Sequence, residues 1–106
     1  MINPEMHDNI VKVLKPFRPE KVILFGSHAY GTPDNNSDID LLIIKPVATP
    51  EVRDLRIQIR KALRGIAGAN EFDIIVDSQE RIGKRIKIGD LFLKEITENG
   101  RIIYAK

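Results

Sequence analysis

Cysteine is absent from this sequence. Its absence excludes disulfide bonds, thiolate zinc sites and a cysteine nucleophile. A protein without disulfides is also consistent with a reducing compartment. Residues 1–8 contain neither the basic region nor the apolar region of a signal peptide, so we expect a cytoplasmic protein.

Long hydrophobic runs and a strong net charge are missing as well. No apolar run approaches the roughly 18–20 residues needed to span a bilayer, so we expect no membrane span. The 17 basic and 15 acidic residues leave a net charge of +2, which gives no argument for direct nucleic-acid binding. The densest basic stretch, residues 81–87, is interpreted as a solvated helix face, with a patch for an acidic partner or phosphates as the alternative.

The apolar residues that are present predict one α/β domain over residues 1–106, because a chain of this length can bury one core but not two. Four short apolar segments are predicted as strands, at residues 21–25, 39–44, 72–76 and 101–104. Helical patterns alternate with them, which favours a single sheet with helices packed on it. In the last helical pattern, we expect Leu91, Phe92 and Ile96 to pack against the core.

Two carboxylates begin the second predicted strand. Asp38 and Asp40 are two residues apart, so on a strand both point to the same side, while Ile39 points to the other. Two anions held this close repel each other unless they are protonated or bridged by a cation. Oxygen ligands suit Mg²⁺ or Mn²⁺. The alternative is that this segment is only the solvated start of a strand.

A glycine and a serine end the first predicted strand. The turn at Gly26 and Ser27 exposes backbone N–H groups that can hold phosphate oxygens, and the Ser27 hydroxyl adds a donor. Glycine also lets the backbone approach a ligand closely. Alone, this dipeptide is an ordinary loop, but beside Asp38 and Asp40 it predicts a phosphate cradle next to a metal site.

A third carboxylate lies on the third predicted strand. Asp73 could complete a three-carboxylate cluster if that strand pairs next to residues 39–44. Asp77 points to the same face by its parity and is the competing candidate. A further alternative is that Asp73 only pairs with a surface lysine or arginine.

The segment from Phe25 to Ile44 resembles the nucleotidyltransferase superfamily of the DNA polymerase beta type, and most of all its minimal nucleotidyltransferase (MNT) branch. The pattern of that branch is Gly-Ser, a helical turn with a second glycine, a loop, and Ser-Asp-x-Asp before an apolar strand. The positions that fit it are Gly26, Ser27, Gly31, Ser37, Asp38 and Asp40.

The resemblance implies a mixed sheet flanked by helices, Mg²⁺ as cofactor and ATP as the donor nucleoside triphosphate. It implies catalytic and metal-binding roles for Asp38, Asp40 and Asp73, with Gly26, Ser27 and Ser37 binding the nucleotide. Minimal members resemble antitoxins that pair with a helical HEPN ribonuclease toxin and add AMP to one of its tyrosines.

Two residues of the turn after Gly26 and Ser27 depart from the pattern of this branch. His28 and Tyr30 stand in the turn where many members carry arginine, and His28 could replace it by hydrogen bonding or be a partly exposed turn residue. Tyr30 could stack on a base or pack locally.

The alternative functions are a catalytically silent antitoxin that acts by contact and a small-molecule nucleotidyltransferase of the antibiotic-modifying type.

Overall fold

The computed structural model of the protein describes residues 2–30, 38–66, 68 and 71–106, except the side chain of Tyr30. The α-helices among these residues are α1 Pro4–Leu14, α2 Ser27–Tyr30, α3 Val52–Ala62, α4 Gln79–Lys87 and α5 Leu91–Asn99. The strands are β1 Lys21–Phe25, β2 Ile39–Ile44, β3 Phe72–Asp77 and β4 Arg101–Ala105. None of the described helices combines the length and the apolar character that crossing a membrane requires.

The described strands form one mixed sheet in the order β3-β2-β1-β4. Strand β1 pairs antiparallel with β2 and β4, while β2 pairs parallel with β3. A parallel pair needs a crossover connection, and α3 provides it between β2 and β3. The predicted four-stranded α/β architecture is therefore confirmed, and β1 and β2 have the predicted bounds.

Side-chain caps fix the beginnings of three helices. The side chain of Asn3 accepts a hydrogen bond from the Met6 N–H at the start of α1, where Pro4 occupies the first turn. Ser78 and Asp90 cap α4 and α5 in the same way. These residues satisfy N–H groups that would otherwise lack partners, so the helices begin where the sequence places a capping residue.

Both faces of the sheet are covered, which explains why β2 is apolar along almost its whole length. One face packs against α1 and α3, through the buried residues Ile10, Leu14, Leu41, Ile43, Ile59 and Leu63. The other face packs against α4 and α5, through Ile23, Phe25, Leu42, Ile44, Ile82, Leu93 and Ile96.

The expected packing of α5 is correct for Ile96 and wrong for two other residues. Leu91 is 75% exposed and Phe92 is 57% exposed. The side of α5 that meets the sheet carries Leu93 and Ile96, which are three residues apart and so share a face. Phe92 lies at the rim of this packing and contacts Phe25, with the two rings edge to face and their centroids 5.8 Å apart.

Replacing Ile59 with alanine is expected to lower the free energy of unfolding by about 2–5 kcal/mol, because its fully buried side chain would leave a cavity. Ile57→Ala on the same helix is the matched control, since Ile57 is 40% exposed and its loss should cost about 0.5 kcal/mol. Urea denaturation followed by circular dichroism measures both, and equal losses would contradict the packing of α3.

Candidate active site

Three strands bring the predicted site residues to one end of the sheet. Phe25, the last residue of β1, lies opposite Asp40 on β2. Asp40 in turn lies opposite Asp73 on the parallel strand β3. The Gly26 turn and the carboxylates of Asp40 and Asp73 therefore come from neighbouring strands, although they are far apart along the chain.

The parity of the strands tells which face these side chains share. Asp40 is two residues before Leu42, which packs against α4 and α5. Asp73 is likewise two residues before Ile75, which packs against the same cluster. Both carboxylates thus leave the sheet on the face that α4 and α5 cover. Asp38 lies just before β2 and is exposed.

The electrostatics of Asp40 show how closely the acids are grouped. Burial raises the pKa of the Asp40 carboxyl above its usual range, and the negative charges of Asp73 and Asp38 raise it further. His28 acts in the opposite direction and lowers the pKa of this carboxyl. Burial is the largest cause of the raised pKa of Asp40, and repulsion by the neighbouring acids adds to it.

Gly26 is fixed by its contact with that carboxylate. Its φ of +75° lies in the left-handed region, where a residue with a Cβ is strained. A Cβ added at Gly26 would stand 2.0 Å from Oδ2 of Asp40, which is far inside contact distance. The backbone of the turn and the Asp40 side chain therefore share a space that only glycine leaves open.

His28 is buried, with 8% of its surface exposed, and differs from a partly exposed turn residue. It lies in the short helix α2 directly after Gly26, next to the buried Ala29. Its effect on the pKa of Asp40 shows that its ring lies near the acidic cluster. The sequence offered no signal for this burial beyond its position after the glycine turn.

The two candidates for the third carboxylate have different surroundings. Asp77 lies opposite Ile44, at the other end of β3 from Asp73. Its Oδ1 accepts hydrogen bonds from the Ser78 N–H at 2.8 Å and from Nε of Arg81 at 2.5 Å. Asp77 therefore holds the start of α4, and the geometry favours Asp73 as the partner of Asp40.

Asp73 is exposed and lies on β3, which is an edge strand of the described sheet. The ion pairs formed by the described residues do not include it, so the alternative of a surface pair with lysine or arginine is not met there. Three other residues of the motif or turn cannot be located in this way. Gly31 and Ser37 lie outside the described residues, and so does the side chain of Tyr30.

A cleft of about 430 Å³ adjoins the carboxylates. Asp38 and Asp73 form one part of its wall, and Arg60 from the end of α3 and Arg64 from the turn after it form another. The volume is in the range of small-ligand sites. No motif in the sequence points to these arginines, because only the fold brings the end of α3 beside the start of β3.

The donor set fits a hard divalent cation in its chemistry. Asp38, Asp40 and Asp73 offer only carboxylate oxygens, and a cation between them would relieve the repulsion that raises the pKa of Asp40. Among the described residues, no three His, Cys, Asp or Glu side chains already form a metal-binding group. The fit therefore rests on the type of donor and on the strand register.

Gly26→Ala is expected to lower the free energy of unfolding by about 1–3 kcal/mol, because the left-handed backbone becomes strained and the new Cβ displaces Asp40. The control is Gly83→Ala, in the middle of α4 with open space around it. That change should stabilise the protein by about 0.5–1 kcal/mol. Thermal denaturation compares the two variants, and a harmless Gly26→Ala would contradict the contact with Asp40.

Asp40→Asn is expected to raise stability at neutral pH. Because the pKa of Asp40 is raised in the folded state, ionisation of this carboxyl lowers the stability of the protein. This loss is absent at a pH below the unfolded-state pKa of about 4, and it is complete at a pH above the folded-state pKa. The gain should be about 0.5 kcal/mol, since solvent screens a partly exposed carboxylate. Urea denaturation at pH 7 and pH 3.5 tests this, and a gain that persists unchanged at pH 3.5 would contradict it.

Several known proteins are similar to this chain in sequence or in fold. A protein of Methanocaldococcus jannaschii that carries the name protein adenylyltransferase is 36% identical over 87 residues, which cover 82% of this chain and 80% of that protein. A crystal structure of a toxin–antitoxin with AMP-PNP has a TM-score of 0.54 and 20% identity, covering 94% of this chain and 73% of that one. A mutant of the toxin–antitoxin MntA-HpeT has a TM-score of 0.58 and 18% identity, covering 99% of this chain and 75% of that one.

These two structures share the fold at low sequence identity, so the family follows from the sequence comparisons. The family model for the nucleotidyltransferase domain matches residues 6–104, almost the whole chain. Within that range lie the glycine turn, the paired carboxylates and the third acid on β3. The chain therefore belongs to the nucleotidyltransferase domain family.

Proposed function

We propose that the protein is a Mg²⁺-dependent adenylyltransferase that moves AMP from ATP to a hydroxyl of a protein. We further propose that it is an antitoxin and that the acceptor is a tyrosine of a HEPN-type ribonuclease toxin. The observation that carries the chemistry is the contact of the Gly26 turn with Asp40, together with the pairing of Asp40 opposite Asp73.

The donor end of the reaction belongs to the turn after β1. Gly26 lets the backbone come close to phosphate oxygens, and the backbone N–H groups and the Ser27 hydroxyl donate hydrogen bonds to them. Ser37, from the same motif, is proposed as a further contact to the nucleotide. This grip holds the terminal phosphates, so that the α-phosphorus faces the carboxylates.

The carboxylates supply the charge that holds the cation. Asp38, Asp40 and Asp73 would bind Mg²⁺, which when bound neutralises charge on the triphosphate and on the departing pyrophosphate. The raised pKa of Asp40 supports this role, because a cluster of acids whose repulsion His28 only partly offsets favours a bound cation.

Asp73 is proposed to act on the acceptor. Its carboxylate accepts the proton of the acceptor hydroxyl as the oxygen forms a bond to the α-phosphorus of ATP. The bond from the α-phosphorus to the bridging oxygen breaks, and pyrophosphate leaves from the side of the Gly26 turn. Its exposure on the edge strand leaves Asp73 open to a large acceptor such as another protein.

The choice of a protein acceptor and an antitoxin role has separate support. The Methanocaldococcus jannaschii relative is named as a protein adenylyltransferase and covers most of this chain. Two proteins of the same fold are parts of toxin–antitoxin structures, one of them with the ATP analogue AMP-PNP. These relatives favour a toxin as the acceptor over a small metabolite.

The test uses α-labelled ATP and Mg²⁺ with the purified protein, added to an extract of its source cells. We expect label on one protein, located on a tyrosine by mass spectrometry. Asp40→Asn and Asp73→Asn should each reduce labelling at least about a hundredfold, because each removes a ligand or a base from the reacting centre.

Asp77→Asn is the matched control, since it removes a carboxylate from the same strand as Asp73 but at the opposite end. Circular dichroism checks that each variant is folded. Label that survives in both Asp40→Asn and Asp73→Asn would overturn the mechanism. Label found only on a small metabolite would overturn the protein acceptor. If no label appears and the purified protein also fails to bind ATP, the result would indicate a silent antitoxin.

A further inference from the structure

Four arginines lie along one side of α3 and its C-terminal turn. At 100° per residue, their spacing of three, four and four residues keeps them within an arc of about 80°. All four are exposed, and we call them the arginine stripe: Arg53, Arg56, Arg60 and Arg64.

The arginine stripe brings four like charges together on one side of α3 and its C-terminal turn. None of the ion pairs within the described parts of the chain involves any of the four. Like charges at this spacing on a helix destabilise it by a few tenths of a kcal/mol per pair. The stripe therefore has a cost in the free protein, and a negatively charged partner would remove that cost.

The stripe leads into the cleft beside the carboxylates. Arg60 and Arg64 line this cleft together with Asp38 and Asp73. In the sheet order β3-β2-β1, the Gly26 turn follows β1, whereas the cleft adjoins the start of β3. The phosphate-holding turn and the cleft thus lie on opposite sides of Asp40.

An in-line displacement needs this separation, because the attacking oxygen and the leaving pyrophosphate are on opposite sides of the phosphorus. We propose that the cleft receives the acceptor hydroxyl and that the arginine stripe docks an acidic segment of the acceptor protein around that hydroxyl. This proposal rests on the proposed function. Arginine suits the task, since its guanidinium group binds a carboxylate through two parallel hydrogen bonds.

Charge also fixes the orientation of the docked segment. Glu71 lines the cleft near Asp38 and Asp73, so the end that takes the hydroxyl is acidic. The carboxylates of the segment are repelled there and attracted toward Arg60 and Arg64. An acceptor tyrosine with acidic neighbours on one side would satisfy both ends of the cleft.

A protein segment fits the stripe better than a nucleic acid does. The net charge of the whole protein is only +2, which is small for a surface that tracks a phosphate backbone. The sequence of α3, Val52–Ala62, contains no aromatic residue on which a base could stack. The basic stretch at residues 81–87 also lies on a different helix.

The first experiment measures binding by fluorescence anisotropy with three labelled probes: a glutamate–tyrosine copolymer, a lysine–tyrosine copolymer and a single-stranded RNA of similar length. The proposal predicts that the wild-type protein binds the glutamate–tyrosine copolymer and that the double variant R60E/R64E binds it at least tenfold more weakly. The matched control is K12E/K15E, which makes the same charge change at exposed lysines.

Those lysines lie near the end of α1, which the chain follows with the start of β1. The start of β1 pairs with the end of β2, since Lys21 lies opposite Ile44, whereas Asp40 lies at the other end of that strand pair. The control variant should therefore bind the acidic copolymer like the wild type. Equal weakening in both double variants, or no binding of the acidic copolymer, would overturn the docking surface. Tighter binding of the RNA that depends on Arg60 and Arg64 would overturn it in favour of a nucleic acid.

The second experiment separates docking from transfer, using labelled ATP and the same copolymers. We expect R60E/R64E to lower kcat/KM for the glutamate–tyrosine copolymer at least tenfold while the KM for ATP stays unchanged. A raised KM for ATP would overturn the acceptor assignment, because the arginines would then hold donor phosphates. If the copolymer binds through Arg60 and Arg64 but receives no AMP, the result would contradict the proposed function and still support the docking surface.

Discussion

The site depends on the register of β1, β2 and β3. Because Phe25 lies opposite Asp40 and Asp40 lies opposite Asp73, the glycine turn and two acids meet at one end of the sheet. The side chains of a strand alternate between its faces, so a slip of one residue would turn Asp40 toward the α1–α3 face and bury a charge among apolar residues. The apolar residues on both faces of β2 therefore also fix the position of the carboxylate.

That register forces negative charges together at a cost. Burial and the charges of Asp73 and Asp38 raise the pKa of Asp40, while the buried His28 only partly offsets them. A Cβ at Gly26 would overlap the same carboxylate, so the turn and the carboxylate lie close together. The proposed cation would offset this repulsion, so the acids lower stability in its absence, as expected where activity is gained at the expense of stability.

Strands with a strong apolar pattern could be predicted from the sequence, but the burial or exposure of some individual side chains could not. The apolar runs of β1 and β2 gave their bounds, since a strand buried on both faces tolerates few polar residues. Leu91 and Phe92 misled the prediction, because hydrophobicity alone does not tell which side of α5 meets the sheet. The burial of His28 could not be predicted either, since it depends on how α2 packs against the strands.

The sequence by itself determined the positions of most strands and helices, the paired acids Asp38 and Asp40, and the turn at Gly26. These features depend on local periodicity and backbone freedom, which are properties of neighbouring residues. Only the tertiary structure distinguishes the position of Asp73 from that of Asp77, since both have the same parity and only strand pairing shows which one lies opposite Asp40. It also brought Arg60 and Arg64 beside the acids. Contacts between distant segments depend on how the crossover through α3 returns the chain to the sheet, which no local pattern encodes.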